Sequence, residues 1–333
     1  MPVLLWATVD RERDALTCSV ALQPLVYSAC FDSVVVMHSG SLGIRDNIFP
    51  TIQWAFVRRR FLAIQNSIAL RPDELSDGAV KLEGVVRSLN RSYRDESVFD
   101  HFLLAGSWGK NTAIRPPSDL DVLFMPPTDV FHQFNSRVGN RQSQLLQHVR
   151  EALMVTYPQT RIRGDGQVVV VDFNSITVEV VPAFSAQGGG YLICDTNDGG
   201  RWKRVQPHEE FGLLQRSDEA FHGNVRKLTH ILKQWKNHCN VPIKAFHLEQ
   251  LVRETLAAYD YGGRDEFWFD WLVRDIFSHV YGRAGGGFFM PGNTNEWIEL
   301  GSEWQTKAWS AYEWASKACV LERQNLNVAA GVE

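Results

Sequence analysis

Two carboxylates two residues apart, Asp119 and Asp121, open the apolar run Leu120-Asp121-Val122-Leu123-Phe124. Side chains alternate along a strand, so both acids project from one face and Leu120 and Val122 from the other. Like charges held that close repel, and each raises the pKa of the other. A divalent cation relieves the repulsion. An oxygen-rich site of this kind suits Mg2+, which keeps part of its water shell and binds substrate phosphates as well. Ser107 of the pair Gly106-Ser107 lies twelve residues before Asp119. Glycine allows close backbone approach to a triphosphate, and serine adds a hydroxyl. A third carboxylate is expected from a neighbouring strand. Glu179 is the one acid in Thr177-Val178-Glu179-Val180-Val181-Pro182-Ala183-Phe184. A charge in such a strand is costly unless it is paired, metal-bound or on an exposed edge. Asp172, at the end of the preceding strand, is the rival third acid.

The joint pattern of Gly106-Ser107 and Asp119-Leu120-Asp121 resembles the signature of the DNA polymerase β-like nucleotidyltransferases. The longer string resembles one branch, the cGAS/DncV-like nucleotidyltransferases (CD-NTases), relatives of oligoadenylate synthetase. Glu179-Val180-Val181-Pro182-Ala183-Phe184 is similar to the third-acid strand of that branch, with Glu where Asp is common. Trp202 with Pro207, and Leu232-Lys233-Gln234-Trp235-Lys236, resemble two further segments. The resemblance runs from about Pro72 to the last helix.

It implies a polymerase β-like core and a cyclic di- or trinucleotide second messenger made from NTPs, ATP foremost among them. In bacteria it places such an enzyme in anti-phage (CBASS) signalling, where the product acts on a separate effector and CBASS proteins regulate the synthase. Asp119, Asp121 and Glu179 would be the catalytic acids holding two Mg2+ ions, or Mn2+, while Gly106 and Ser107 would hold the β- and γ-phosphates. Arg226, His230 and Lys233, spaced four and three apart, line up on one helix face. By resemblance Lys233 contacts the donor triphosphate, with His230 beside it among the nucleotide-binding residues, and Phe246 stacks on the donor base. Ordinary core packing is the other reading of Phe246. The zinc-binding His/Cys cluster of animal cGAS is not visible, so neither zinc nor double-stranded DNA bound through that module is expected. Two alternatives remain. One is a linear oligonucleotide synthetase, or a terminal or small-molecule nucleotidyltransferase, of the same superfamily. The other is an inactive fold acting as a binding protein.

These residues need a scaffold, and the chain is long enough to build one. It has 333 residues, 44% hydrophobic and 22% charged, which suits about two folded domains. A net charge of −4 excludes a strongly basic nucleic-acid wrapper. No apolar run approaches the roughly 18 residues of a membrane span, and the five cysteines are scattered without a CxxC pair. A cytoplasmic protein without membrane contact is the expectation.

Leu75, Ala79, Leu82, Val86 and Leu89 predict a spine-like helix over about 73–93. Strands are predicted at Phe99–Ala105 and Leu120–Met125, separated by a polar loop with a short helical turn. A single helix, Phe134–Tyr157, follows, with Leu145, Leu146, Val149, Leu153 and Val155 as its apolar set. Strands come next at Gln167–Phe173 and Ser175–Phe184, joined by a turn at Asn174, and Arg163-Gly164-Asp165 reads as a turn between strands. Glycine-rich loops follow at Gly188–Gly190 and Asp198–Gly200. From Ser217 the chain reads as helical, with helices at Phe246–Tyr259 and Phe267–Tyr281, a break at Gly285–Gly287, and a last helix marked by Trp304, Ala308, Ala311, Ala315 and Ala318.

The fold class is therefore α+β (mixed α/β). The resemblance implies that a nucleotidyltransferase core with a mixed sheet spans 61–215 and that a helical domain over 216–325 closes the nucleotide cleft, with 326–333 as a tail. Residues 1–60 lie outside the pattern. They are either an N-terminal extension or translation upstream of a later start such as Met37.

Overall fold

The computed structural model describes residues 55–329. They divide into two compact units. One comprises residues 68–216 with 289–296, and the other residues 55–67, 217–288 and 297–329. The expected extension 1–60 falls outside the described residues up to position 54; from there helix α1 runs Ala55–Ile68.

The first unit opens with α2, Pro72–Arg94. Pro72 occupies the first turn, where its missing N–H costs nothing, and Glu74 accepts the Arg71 N–H at 2.8 Å. Strand β1 (Phe102–Leu104) is followed by a single helical turn, α3 (Gly106–Gly109), and by β2 (Leu120–Phe124). Helices α4 (Thr128–Asn135) and α5 (Arg141–Thr156) precede β3 (Arg161–Asp165), β4 (Val168–Asp172), β5 (Thr177–Ser185), β6 (Tyr191–Asp195) and β7 (Arg201–Val205).

The seven strands form one mixed sheet. Its main order is β1-β2-β5-β4-β3, and β6 and β7 extend from the far half of β5. Only β2 and β5 run parallel; the other pairs are antiparallel. One face of the sheet is dry. There Leu120, Val122, Val169, Val171, Val178 and Val180 pack with Leu82, Val85, Val86 and Leu89 of α2 and Leu145, Leu146, Val149 and Leu153 of α5. Burying each such side chain is worth about 1.5–3 kcal/mol, and the sum fixes the pleat that turns Asp121 and Glu179 to the opposite face.

Several expectations are corrected. Leu75 is 47% exposed and Ala79 is exposed, so α2 buries Gly78, Leu82, Val85, Val86 and Leu89 instead. Gly78 lies against the Trp108 ring, a contact closer than any side chain would permit. The single helix 134–157 is two helices. Gly139 takes φ +82°, and Asn140 starts α5 by accepting the Ser143 N–H at 2.9 Å. Val155, 82% exposed, falls about 200° around the helix from Leu153. Arg163-Gly164-Asp165 is edge strand, not turn, with Ile162 as the buried position. The stretch after β5 carries β6 between its two glycine loops and β7 directly after the second.

Helix α6 (Pro207–Ala220) begins in the first unit and ends in the second, which continues with α7 (Asn224–His238), α8 (Ala245–Ala258) and α9 (Phe269–Gly282). A hairpin, β8 (Gly287–Met290) and β9 (Asn293–Glu299), follows, of which residues 289–296 belong to the first unit, and then α10 (Gln305–Ala329) in the second. The hairpin was not anticipated, and α10 continues four residues into the expected tail. Val225, Leu228 and Leu232 of α7 share the helical core with Leu248, Leu251 and Leu256 of α8 and Leu272 and Ile276 of α9. Trp304, fully buried, donates its indole N–H to Leu300 O at 3.0 Å. No helix among the described residues is long and apolar enough to cross a membrane.

Candidate active site

Strand register brings the expected acids together. Asp121 of β2 stands directly beside Glu179 of β5 in the parallel ladder. Asp119 is exposed, one residue before β2 and two before Asp121. Asp172 lies elsewhere. It faces Thr177 on β5 and Arg161 on β3, and its carboxylate is 3.8 Å from Arg161 and 4.0 Å from Arg163. The two candidates for third acid thus differ in surroundings: Asp172 sits among cations, Glu179 among anions.

The electrostatics follow from that placement. Burial against its strand neighbours, then the charges of Asp121 and Asp119, push the Glu179 carboxyl up to about 7. A half-buried carboxylate flanked by two others is an anionic site in deficit of positive charge.

The Gly106-Ser107 turn meets this pair from the β1 side. The Ala105 N–H donates to Asp121 O at 2.9 Å, tying the start of the turn to β2. Gly106 takes φ +54°, in the left-handed region open to glycine. A Cβ placed there would overlap the Asp121 carboxylate. Gly106 is therefore required twice, by its backbone angle and by the acid seated against it. The Ser107 and Ser118 hydroxyls lie 3.1 Å apart, and the Trp108 indole N–H donates to Ser118 O at 3.3 Å. The loop between the turn and the acids is closed on itself in this way. Behind the turn, buried Lys110 pairs with Glu210 of α6 at 3.2 Å.

Ser118 and Lys110 did not enter the expected set. Their signal was position alone, a serine abutting Asp119 and a lysine one turn after Gly106, and position does not reveal burial.

Of the residues expected to bind nucleotide on the helical side, His230 and Lys233 lie on α7, three residues apart, with Lys233 buried. Their neighbour Arg226 is held by Asp218, which accepts both its side-chain N–H at 2.5 Å and its backbone N–H at 2.9 Å. Phe246, in the first turn of α8, packs edge-on against Phe288, centroids 5.6 Å apart.

Among the described residues, no three His, Cys, Asp or Glu side chains close into a metal cage by themselves. The donor set nevertheless fits a hard cation. Asp121 and Glu179 stand on adjacent interior strands with Asp119 just before β2, and the repulsion at Glu179 is what a divalent ion would cancel.

Residues 56–217 match the model of the Second Messenger Oligonucleotide or Dinucleotide Synthetase domain, SMODS. Curated relatives include the CBASS oligonucleotide cyclase CdnC of Escherichia coli, 23% identical over 202 residues, which covers 57% of this chain and 62% of that protein. The cyclic AMP-AMP-AMP synthase of an Acinetobacter species is 26% identical over 164 residues, covering 48% of this chain and 47% of that one. The chain thus spans less than two thirds of the length of these relatives. Among solved structures, the E. coli CdnC:HORMA-deltaN complex matches with a TM-score of 0.58 at 15% identity, over 80% of this chain and 90% of that one. At that identity the likeness establishes the fold.

Proposed function

Since the chain belongs to the cGAS/DncV-like nucleotidyltransferase family, we propose that it is a metal-dependent nucleotidyltransferase that makes a cyclic di- or trinucleotide second messenger from NTPs in CBASS anti-phage signalling. The observation that carries this is the register of Asp121 beside Glu179, with the Gly106 turn seated against Asp121.

In each transfer an acceptor ribose hydroxyl oxygen bonds the donor α-phosphorus, the hydroxyl proton passes to water, and pyrophosphate leaves. Asp119, Asp121 and Glu179 would hold the divalent ions that neutralise the donor phosphates. Bound Mg2+, or Mn2+, would supply charge stabilisation at the attacking and leaving oxygens. Gly106 and Ser107 receive the β- and γ-phosphates, where only glycine leaves room beside Asp121. Lys233 contacts the donor triphosphate and Phe246 its base, both by resemblance, and His230, on the same helix face as Lys233, is a further nucleotide-binding residue. Catalysis of this kind is mostly positioning and charge neutralisation, which two adjacent strands inside a sheet supply well. Glu179 gains its full negative charge when a cation offsets Asp119 and Asp121, so metal loading and carboxylate ionisation reinforce each other.

NTPs, ATP foremost, are the substrates, and the setting is the cytoplasm. The E. coli CdnC relative forms a complex with HORMA-deltaN, and a regulatory CBASS protein is the corresponding partner here. The test is pyrophosphate release from NTPs by the purified protein. Release that requires a divalent metal and vanishes in Asp119→Ala/Asp121→Ala supports the reading. Release that survives the double substitution, or none with either metal and with candidate CBASS partners added, points instead to a binding role for the fold.

A further inference from the structure

The strand order determines what lies on each side of the acid pair. Cross-strand partners share a face, so one row of side chains runs across the sheet: Asp121 on β2, Glu179 on β5, Val170 on β4 and Arg163 on β3. The Gly106-Ser107 turn closes the Asp121 end of this row through the Ala105 N–H bond to Asp121 O. Arg163 closes the other end. Strands are about 4.8 Å apart, so its backbone is roughly 10 Å beyond that of Glu179. Val170, 1% exposed, stands between them in the row.

The Arg163 guanidinium is partly exposed. Its Nη1 is 2.7 Å from Asp165 Oδ2, and its Nε is 4.0 Å from Asp172. An exposed pair such as Arg163–Asp165 holds its partners weakly, whereas a guanidinium binds phosphate in a two-pronged, charge-assisted way.

From this row we propose that Arg163 is an acceptor-side binding residue, which holds the 5′-phosphates of the nucleotide or linear intermediate whose hydroxyl attacks. The proposal rests on the nucleotidyl-transfer reading above. In-line displacement puts attacking and leaving oxygens on opposite sides of the phosphorus. The leaving pyrophosphate belongs to the Gly106-Ser107 side. The acceptor therefore approaches over Glu179, and its own phosphates extend over β4 and β3, where Arg163 stands.

The experiment separates donor from acceptor. A 2′,3′-dideoxynucleoside triphosphate can only donate, and an α,β-methylene nucleoside triphosphate can only accept. Rates are measured with the dideoxy donor and either the methylene triphosphate or the bare nucleoside as acceptor. Removing one charge-assisted contact should raise the KM for the triphosphate acceptor roughly 10- to 100-fold in Arg163→Ala. The donor KM and the rate with the bare nucleoside should be unchanged, and Arg163→Lys should be intermediate. An unchanged acceptor KM, or donor and acceptor KM rising together, overturns the assignment of Arg163. If the unsubstituted protein transfers nothing from any donor, the nucleotidyl-transfer reading falls, and this assignment falls with it.

Discussion

Glu179→Gln should make the metal-free protein more stable and the enzyme inactive. Burial and the adjacent Asp121 and Asp119 raise the carboxyl from 4.5 to about 7 in the folded chain. Between those values the folded protein keeps a proton that the unfolded chain has released. Stability therefore falls as pH rises through that window, and the loss is complete above about pH 8. At about 1.36 kcal/mol per tenfold change in acidity the ceiling is about 3 kcal/mol, and solvent around the half-buried group reduces it to about 1–2 kcal/mol. Glutamine has nearly the same shape and carries no charge. In EDTA at pH 8 the variant should melt roughly 2–6 °C above the unsubstituted protein, and at pH 4.5 the two should coincide. Saturating Mg2+ with NTP should reverse the order, because the carboxylate then gains a cation. Melting curves at pH 4.5, 6 and 8, with and without metal and NTP, read all of this out. A variant less stable at pH 8 without metal, or a gap that does not change with pH, would refute the argument that the three acids crowd one another.

Other outcomes follow from particular contacts. Gly106→Ala forces a left-handed alanine into the Asp121 carboxylate; it should cost about 1–3 kcal/mol and abolish pyrophosphate release, as melting and a release assay would show. Lys110→Ala leaves Glu210 without the partner it holds at 3.2 Å and should cost about 2–4 kcal/mol in urea unfolding, with Glu210→Gln milder. Leu75→Ser and Val155→Ser, on exposed faces of α2 and α5, should change stability by less than about 0.5 kcal/mol. Leu89→Ala, at a fully buried position of α2, should cost about 2–5 kcal/mol.

Much of the site was legible because strand chemistry has a period of two. Asp119 and Asp121 could be placed on one face from sequence, and an acid alone among valines had to be Glu179's kind of exception. That Glu179 rather than Asp172 lies beside Asp121 was not legible, since it depends on a parallel register between strands over fifty residues apart. The misreadings also have local causes. The 4-3-4-3 spacing that began at Leu75 overlaps a neighbouring stripe on the same helix, and the Trp108 ring selects Gly78 for the interior. Strand β3 buries Ile162 but is otherwise charged, as suits an edge that must not pair further, and this hid it as a turn. Strands β6 and β7 are five residues each and each follows directly on a glycine, Gly190 and Gly200, so the punctuation was read and the strands were not. The break at Gly139 was concealed because Phe134 and Leu145 both belong to the core, on different helices.

The central claim is that these acids build a cyclic nucleotide. The most direct test is incubation of the purified protein with all four labelled NTPs and Mg2+ or Mn2+, phosphatase treatment, and identification of products by mass spectrometry, with Asp119→Ala/Asp121→Ala as control. The account predicts a phosphatase-resistant cyclic di- or trinucleotide that is absent from the control. Linear chains whose end phosphates are removed by the phosphatase would contradict it and make the protein an oligonucleotide synthetase.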